Sequence, residues 1–221
     1  MSDFRTQVIQ AKIVILAKDN VDHALADDGS GSMNTKDVRT GGRFLSGTTT
    51  RWAYTVGRSI ELARQAERFD HDGIDFAIFN HGIRIYESQT SEAIAQTLHS
   101  NRPGGGTATH LAVEWGYQLY QRKVAAGGYN KKFRLTVVTD GETDLKALQA
   151  TIVRIANEVG AQAGKQKNED GYPFNITFLL VGDENEIPID FFEQLDRGLS
   201  RLTDHDIVKV GRLENAEIKS A

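Results

Sequence analysis

The chain alternates short apolar runs with longer stretches in which apolar residues recur every three or four positions. Apolar runs rich in β-branched and aromatic residues predict strands, and the three-to-four spacing predicts amphipathic helices. The predicted strands are residues 21–27, 74–80, 83–86, 133–139, 174–181 and 206–210. The predicted helices are approximately residues 51–69, 91–99, 109–124, 145–162 and 189–201. Because strands and helices alternate, the pattern predicts an α/β domain with a mostly parallel sheet.

The segments outside this alternation set the predicted domain limits. Residues 1–20 are rich in apolar residues, but their pattern fits a helix and a strand equally well. Residues 33–50 are rich in Gly and Thr and predict a loop that ends in a helix cap. We therefore expect an N-terminal arm at residues 1–20, one domain at residues 21–212 and a C-terminal tail at residues 213–221.

Composition restricts the class of protein and its partners. The 221 residues are enough for a single core, and 39% hydrophobic with 25% charged residues is typical of a globular protein. A net charge of -4 without a Lys/Arg run argues against nucleic acid as a partner. No cysteine is present, which excludes disulfides and thiolate zinc sites and fits a reducing compartment. The most apolar run, residues 13–17, is far shorter than the ~20 residues of a membrane span. With no secretory signal pattern at the N-terminus, we expect a cytoplasmic protein that does not contact membranes.

Candidate chemistry begins where the first predicted strand ends. Asp28, Ser30 and Ser32 occupy alternate positions, and the glycines between them let the backbone bend towards an ion. Asp140 follows a later predicted strand. Right-handed crossovers bring the loops after both strands to one edge of a parallel sheet. These hard oxygen donors suit Mg²⁺, Mn²⁺ or Ca²⁺ rather than zinc.

A third motif completes a pattern that is similar to a known family. Residues 104–109 form a glycine-rich turn that opens a helix and offers Thr107. Together with Asp-x-Ser-x-Ser and Thr-Asp-Gly, this turn resembles the von Willebrand factor A domain and its metal-ion-dependent adhesion site. The resemblance covers about residues 21–210, and residues 72–80 are similar to a strand of its intracellular members. Matched to the family's metal ligands are Asp28, Ser30, Ser32, Thr107 and Asp140.

The resemblance implies a fold and a function. The implied fold is a Rossmann-like, doubly wound, mostly parallel sheet with helices on both faces and one short antiparallel edge strand. The implied ion, Mg²⁺ or else Mn²⁺ or Ca²⁺, is held directly by Ser30 and Ser32, with the other three ligands binding directly or through water. Because hydroxyls leave the ion electrophilic, an exchangeable position is open to a carboxylate. We therefore expect a stand-alone, non-enzymatic module that captures an Asp or Glu of a partner protein.

Several neighbouring residues compete for roles in this site. Asp27 precedes the metal Asp and is expected to lie behind it or to face solvent. Thr109 is the alternative to Thr107, although its position suits a helix cap better. Glu142 and Asp144 are expected to be charges of a first helical turn rather than ligands.

Two other functions remain open at this stage. Strand-end carboxylates beside a glycine-rich loop also suit a magnesium-dependent phosphohydrolase or phosphotransferase. Against that function, the sequence has no Gly-x-x-x-x-Gly-Lys-[Ser/Thr] loop, and Arg102 is the nearest cation to the motifs. The other alternative is an assembly protein with a vestigial metal site, whose residues 1–20 drive oligomerisation. The oligomeric state is not predicted.

Overall fold

A computed structural model describes residues 13–17, 21–40, 47–70, 72–163 and 172–220 of the protein. The strands are β1 (Ile13–Ala17), β2 (Val21–Asp28), β3 (Val38–Thr40), β4 (Gly47–Thr49), β5 (Ile74–Phe79), β6 (Ile83–Gln89), β7 (Lys132–Thr139), β8 (Phe174–Leu180), β9 (Val208–Arg212) and β10 (Ala216–Ser220). The helices are α1 (Arg51–Ala66), α2 (Ser91–Ser100), α3 (Thr109–Ala125), α4 (Leu145–Ala163) and α5 (Ile189–Gly198). Threonine side chains cap two helix starts, with Thr50 accepting from the N–H of Ala53 and Thr90 from that of Ala93.

Six strands form the central sheet in the order β6-β5-β2-β7-β8-β9. The neighbours β5, β2, β7, β8 and β9 are all parallel, whereas β6 pairs antiparallel with β5 through a short connection. This arrangement confirms the predicted α/β class, the hairpin and the antiparallel edge strand.

Helices cover both faces of the sheet, so the doubly wound prediction is confirmed. On one face, α1 and α2 bury Val56, Ile60 and Ile94 against strand residues such as Leu25. On the other face, Ala24 and Ala26 belong to one apolar cluster with residues of α3, α4 and α5. Successive residues of β2 thus enter opposite cores, and all eight of its residues are buried. Four of these eight residues are polar, so burial on both faces requires partners for Asp22, His23, Asp27 and Asp28.

The predicted loop at residues 33–50 is more structured than expected. It starts within a 3-10 helix at Gly31–Asn34, and its distal part contains the antiparallel pair β3 and β4. Each of these strands has only three residues, mostly polar or threonine, so no apolar alternation marks them. Residues 41–46 lie outside the described part of the chain.

Element ends differ from the predictions by a few residues. Helix α1 ends at Ala66 rather than at residue 69, because the chain turns there towards Gly73, whose φ of 94° favours glycine. Helix α5 ends at Gly198 and continues as a 3-10 turn at Leu199–Arg201. Strand β9 begins two residues later than predicted, at Val208.

The two ends of the chain meet in a small second sheet. Strand β1, inside the predicted arm, pairs in parallel with β10, inside the predicted tail. Ala216 at the start of β10 is buried in the α1 core, and Arg58 of α1 donates to its carbonyl oxygen. The remainder of the predicted arm, like the polar loop at residues 164–171, lies outside the described residues, and the domain limits stay a prediction. Among the described residues, no helix has the length and apolar character needed to cross a bilayer.

Candidate metal site

The carboxyl ends of β2 and β7 lie side by side at the centre of the sheet. The chain adds β5 and β6 on one side of β2 before it crosses to β7 on the other side. Ligands of open α/β sheets bind at such a switch point, outside the carboxyl ends of the strands. Asp28 is the last residue of β2, and Asp140 follows the last residue of β7. The structure therefore brings these two predicted residues to one edge, as the sequence analysis anticipated.

Asp28 is fixed by two hydrogen bonds from the loops around it. Its Oδ1 accepts from the backbone N–H of Ser30 at 2.9 Å, and its Oδ2 accepts from the Thr139 hydroxyl at 2.7 Å. The residue is fully buried. Its carboxylate is thus held rigidly in the cleft between the two strands.

The two serines of the motif lie together. Ser30 Oγ and Ser32 Oγ are 3.0 Å apart, and Ser30 is fully buried. Their loop is joined to the glycine-rich turn by two backbone bonds, Gly31 N–H to Gly105 O and Gly104 N–H to Gly29 O, each 2.9 Å long. Gly105 has a φ of 80°, so the turn depends on glycine at this position.

The same turn positions the two threonines. The Thr107 carbonyl oxygen accepts from the Thr143 hydroxyl at 3.4 Å, and the neighbouring Ala108 N–H donates to Asn80 O at 2.7 Å. Thr109 begins α3 but does not cap it, because Ala108 takes the cap position without a side-chain bond. The expected capping role of Thr109 is therefore wrong. Its hydroxyl is buried and has no hydrogen-bond partner among the described residues.

Burial dominates the electrostatics of the site. Burial, with the nearby charge of Asp140, raises the pKa of Asp28 to about 7, although the bonds from Ser30 and Thr139 oppose the shift. Burial also raises the pKa of Asp27 to about 8. Asp27 turns away from Asp28 towards α1, where its Oδ1 accepts from the Ser59 hydroxyl at 2.9 Å. It is fully buried, so it lies behind the site and does not face solvent.

A buried arginine that the sequence analysis did not identify completes the site. Arg51, the first residue of α1, donates from Nη1 to Asp140 Oδ2 at 3.0 Å and from Nη2 to Asp37 Oδ2 at 2.8 Å. Helix α1 carries buried polar residues at positions 51, 55 and 59, beside its apolar stripe. Three polar residues four apart next to an apolar face are the sequence feature that could have indicated this contact.

The expected roles of the other charged residues can now be compared with their positions. Glu142 is 57% exposed in its side chain and lies 3.7 Å from Arg51 Nη1. Asp144 accepts from the N–H groups of Lys146 and Ala147, so it stabilises the start of α4, as expected for a first-turn charge. Arg102, the cation considered for phosphate binding, is exposed.

The donor set fits a hard divalent cation. Two buried carboxyls lie at this edge, and burial, with the charge of Asp140, raises the pKa of Asp28. Two hydroxyls lie in the same cleft. Carboxylate and hydroxyl oxygens are the ligands that Mg²⁺, Mn²⁺ and Ca²⁺ take, whereas no His or Cys is needed.

A second group of carboxylates lies at the opposite edge of the sheet. Carboxylate oxygens of Asp22, Asp70 and Asp72 come within 4.8 Å of one another. Lysine ammonium groups offset part of its charge, with Lys131 Nζ 2.6 Å and Lys123 Nζ 3.2 Å from Asp22. Burial, with the neighbouring Asp72 and Asp22, nevertheless raises the pKa of Asp70 to about 7.

A polar cavity of about 440 Å³ adjoins the candidate metal site. Its lining includes Asp37, Arg39, Tyr54 and Arg212. Asp37 therefore links the cavity to Arg51 and, through Arg51, to Asp140.

Comparisons with known proteins were made by sequence and by structure. No protein-family model matches the sequence, and no curated protein matches it. Solved structures do match. BatB from Bacteroides thetaiotaomicron is 15% identical with a TM-score of 0.54, over 90% of this chain and 91% of that one. The PilB minor pilin from Streptococcus sanguinis is 11% identical with a TM-score of 0.58, over 89% of this chain and 58% of that one. Manganese-loaded TRAP protein from Plasmodium vivax is 14% identical with a TM-score of 0.51, over 89% of this chain and 70% of that one.

At these identities the likeness shows the fold alone. The chain has an α/β, Rossmann-like fold, which it shares with these structures. This agrees with the fold expected from the motifs. The assignment of Asp28, Ser30, Ser32, Thr107 and Asp140 as metal ligands stays a prediction.

Proposed function

We propose that this protein is a non-enzymatic binding module with a metal-ion-dependent adhesion site, which captures a carboxylate of a partner protein. The observation that carries the proposal is the convergence of Asp28, Asp140 and the Ser30–Ser32 hydroxyl pair at one edge of the sheet. The residues that would hold the ion are Asp28, Ser30, Ser32, Thr107 and Asp140.

The ion, Mg²⁺ or else Mn²⁺ or Ca²⁺, supplies an electrophilic position that accepts a carboxylate oxygen when it is bound. The chain's own residues orient the ligands. Thr139 and the Ser30 N–H hold the Asp28 carboxylate, and the bonded loops keep the serine hydroxyls beside it. A partner that presents Asp or Glu therefore suits the site better than a basic or apolar partner. The presence of manganese in the TRAP structure supports a divalent ion on this fold.

We also propose that the protein is not an enzyme and works in the cytoplasm. The buried cation of the site, Arg51, is paired with Asp37 and Asp140 and is not presented to a phosphate group. The absence of cysteine supports a reducing compartment. Turnover of a phosphate-ester panel with Mg²⁺ that is lost in Asp28→Asn would contradict the non-enzymatic proposal, and cell fractionation tests the compartment.

Calorimetric titration of Mg²⁺, Mn²⁺ and Ca²⁺ into EDTA-treated protein tests the metal site. We expect about one ion per chain, with binding lost in Asp28→Asn and in Ser30→Ala/Ser32→Ala. Asp72→Asn is the matched control, since it removes an acid from the carboxylate group at the opposite edge. Binding that is lost in Asp72→Asn but kept in Asp28→Asn would place the ion at the wrong edge and refute the proposal.

Partner capture tests the role of the ion. Immobilised protein should retain an acidic partner with Mn²⁺, release it with EDTA, and fail to retain it when Asp28 is replaced by Ala. Capture by Asp28→Ala that equals capture by the unchanged protein, with and without EDTA, would show that the partner binds elsewhere.

A further inference from the structure

Arg51 carries a buried positive charge into the candidate metal site. Its side chain is 2% exposed, and its Nη1 donates to Oδ2 of Asp140, a predicted metal ligand, at 3.0 Å. The Asp140 side chain is fully buried as well. One oxygen of a predicted ligand is therefore already occupied by a cation that belongs to the chain.

The guanidinium is held from its other side by Asp37. Nε and Nη2 of Arg51 form a two-pronged contact with the Asp37 carboxylate, at 3.1 Å and 2.8 Å. Asp37 Oδ2 also accepts from the Asp183 N–H at 2.9 Å, which fixes the carboxylate. Asp37 and Asp140 thus divide the charge of Arg51 between them.

The surroundings leave the arginine little freedom to withdraw. Its backbone N–H donates to Thr35 O at 3.0 Å. A Cβ at Gly182 would lie 2.7 Å from Arg51 Nε, so the backbone of that loop passes directly over the guanidinium. Although burial opposes its charge, hydrogen bonds from the Arg51 guanidinium to Asp37 and Asp140 raise its pKa, so it stays protonated. A divalent ion that binds Asp140 must therefore share this carboxylate with a fixed positive charge.

We infer that Arg51 is a built-in counter-cation that competes with the divalent ion for Asp140 and thereby sets the metal affinity of the site. The inference rests on the proposed function and concerns the regulation of the same site. Asp37 has the opposite effect, because it draws part of the guanidinium charge away from Asp140. An opposite charge a few ångströms away changes the proton affinity of a carboxylate about 10-fold to 1000-fold. We expect at least a roughly tenfold effect on the affinity for a divalent ion.

The test is a calorimetric titration of Mn²⁺ into EDTA-treated full-length variants. Arg51→Gln removes the charge and should bind Mn²⁺ about tenfold tighter than the unchanged protein or better. Arg51→Lys keeps the charge but cannot form the two-pronged contact with Asp37, so it should bind Mn²⁺ more weakly than Arg51→Gln does. In Asp37→Asn the Arg51 guanidinium has Asp140 as its remaining close carboxylate partner, so this variant should bind Mn²⁺ more weakly than the unchanged protein. Arg58→Gln, on the same helix but bonded to Glu61 and to the Ala216 carbonyl oxygen, is the matched control and should leave the Mn²⁺ affinity unchanged.

Competition predicts tighter Mn²⁺ binding by Arg51→Gln and weaker binding by Asp37→Asn. Loss of structure would instead weaken Mn²⁺ binding in both variants, so the two explanations can be distinguished. Equal or weaker binding by Arg51→Gln, with metal binding intact in the unchanged protein, overturns the inference and leaves the proposed function standing. Binding by Arg51→Gln alone supports the inference and overturns the proposed function. No binding by either protein overturns both. If circular dichroism shows that Arg51→Gln is unfolded, the inference is tested with Asp37→Asn. Mn²⁺ binding by Asp37→Asn that is at least as tight as that of the unchanged protein overturns the inference.

Discussion

The buried pair of Arg51 and Asp140 predicts an asymmetric loss of stability in metal-free protein. Removing one partner of a buried ion pair costs about 3–5 kcal/mol, because it leaves the other charge unpaired. Arg51→Gln leaves the carboxylates of Asp37 and Asp140 without their cation, so its cost should lie in this range. For a domain of this size, such a cost corresponds to a fall in Tm of about 6–20 °C. Asp140→Asn leaves Arg51 its contact with Asp37, so its cost is closer to the roughly 1.5–3 kcal/mol of a charged hydrogen bond.

A double-mutant cycle measures the interaction itself. Once Asp140 is neutral, Arg51→Gln leaves only the Asp37 carboxylate without its partner. The stability losses of the two single variants should therefore sum to about 1–3 kcal/mol more than the stability loss of the double variant. Urea unfolding followed by circular dichroism, with EDTA present throughout, gives the four free energies of unfolding. Losses that add within about 0.5 kcal/mol would refute the reasoning, because the two side chains would then not be coupled.

Three further predictions rest on other parts of the molecule. Burial, with the charge of Arg134, lowers the pKa of His23 to about 4, so its contribution to stability is present above pH 6.5 and is lost as pH falls towards 4. When the pH falls from 7 to 4, the free energy of unfolding of His23→Gln should therefore decrease by about 3 kcal/mol less than that of the unchanged protein. Urea unfolding measures both decreases, and equal decreases would contradict this prediction. A Cβ at Gly116 would lie 2.6 Å from Leu135 Cδ2, so Gly116→Ala should cost about 1 kcal/mol or more, whereas Gly57→Ala, which meets nothing within 4 Å, should gain up to about 1 kcal/mol. The thermal unfolding of both variants checks the signs. Mn²⁺ at a hundred times its Kd should stabilise the protein by about 2.7 kcal/mol, and an unchanged Tm would speak against an ion site.

The fold was largely predictable because its elements carry local patterns. Helices α1 and α2 start at threonine caps and bury one apolar stripe each, and the central strands are apolar runs bounded by turns. The pairing of β1 with β10 was not predictable, since it joins segments about 200 residues apart and no local pattern specifies a partner. Strands β3 and β4 were missed because three mostly polar residues do not alternate.

The candidate site was predictable only for residues within motifs. Spacing placed Asp28, Ser30 and Ser32 on one turn, and strand order brought Asp140 beside them. Arg51 has no motif, and an arginine at the start of a helix is usually exposed. Its burial depends on Asp37, which lies in a loop that the sequence did not resolve into structure.

The two edges of the sheet differ in how their buried carboxylates are partnered. At the edge where β2 begins, Asp22 and Asp75 are each within 3.2 Å of the Lys123 ammonium, and Lys131 adds a second contact to Asp22. These two lysines offset only part of the charge there, because burial, with the neighbouring Asp72 and Asp22, raises the pKa of Asp70 to about 7. At the edge where β2 ends, Asp27 and Asp28 are both fully buried with pKa values near 8 and 7, and Arg51 is shared between two other carboxylates. Burying acids with so little compensation costs stability that hydrophobic residues would not. Such a cost is expected where a site is kept ready for a cation that arrives from outside.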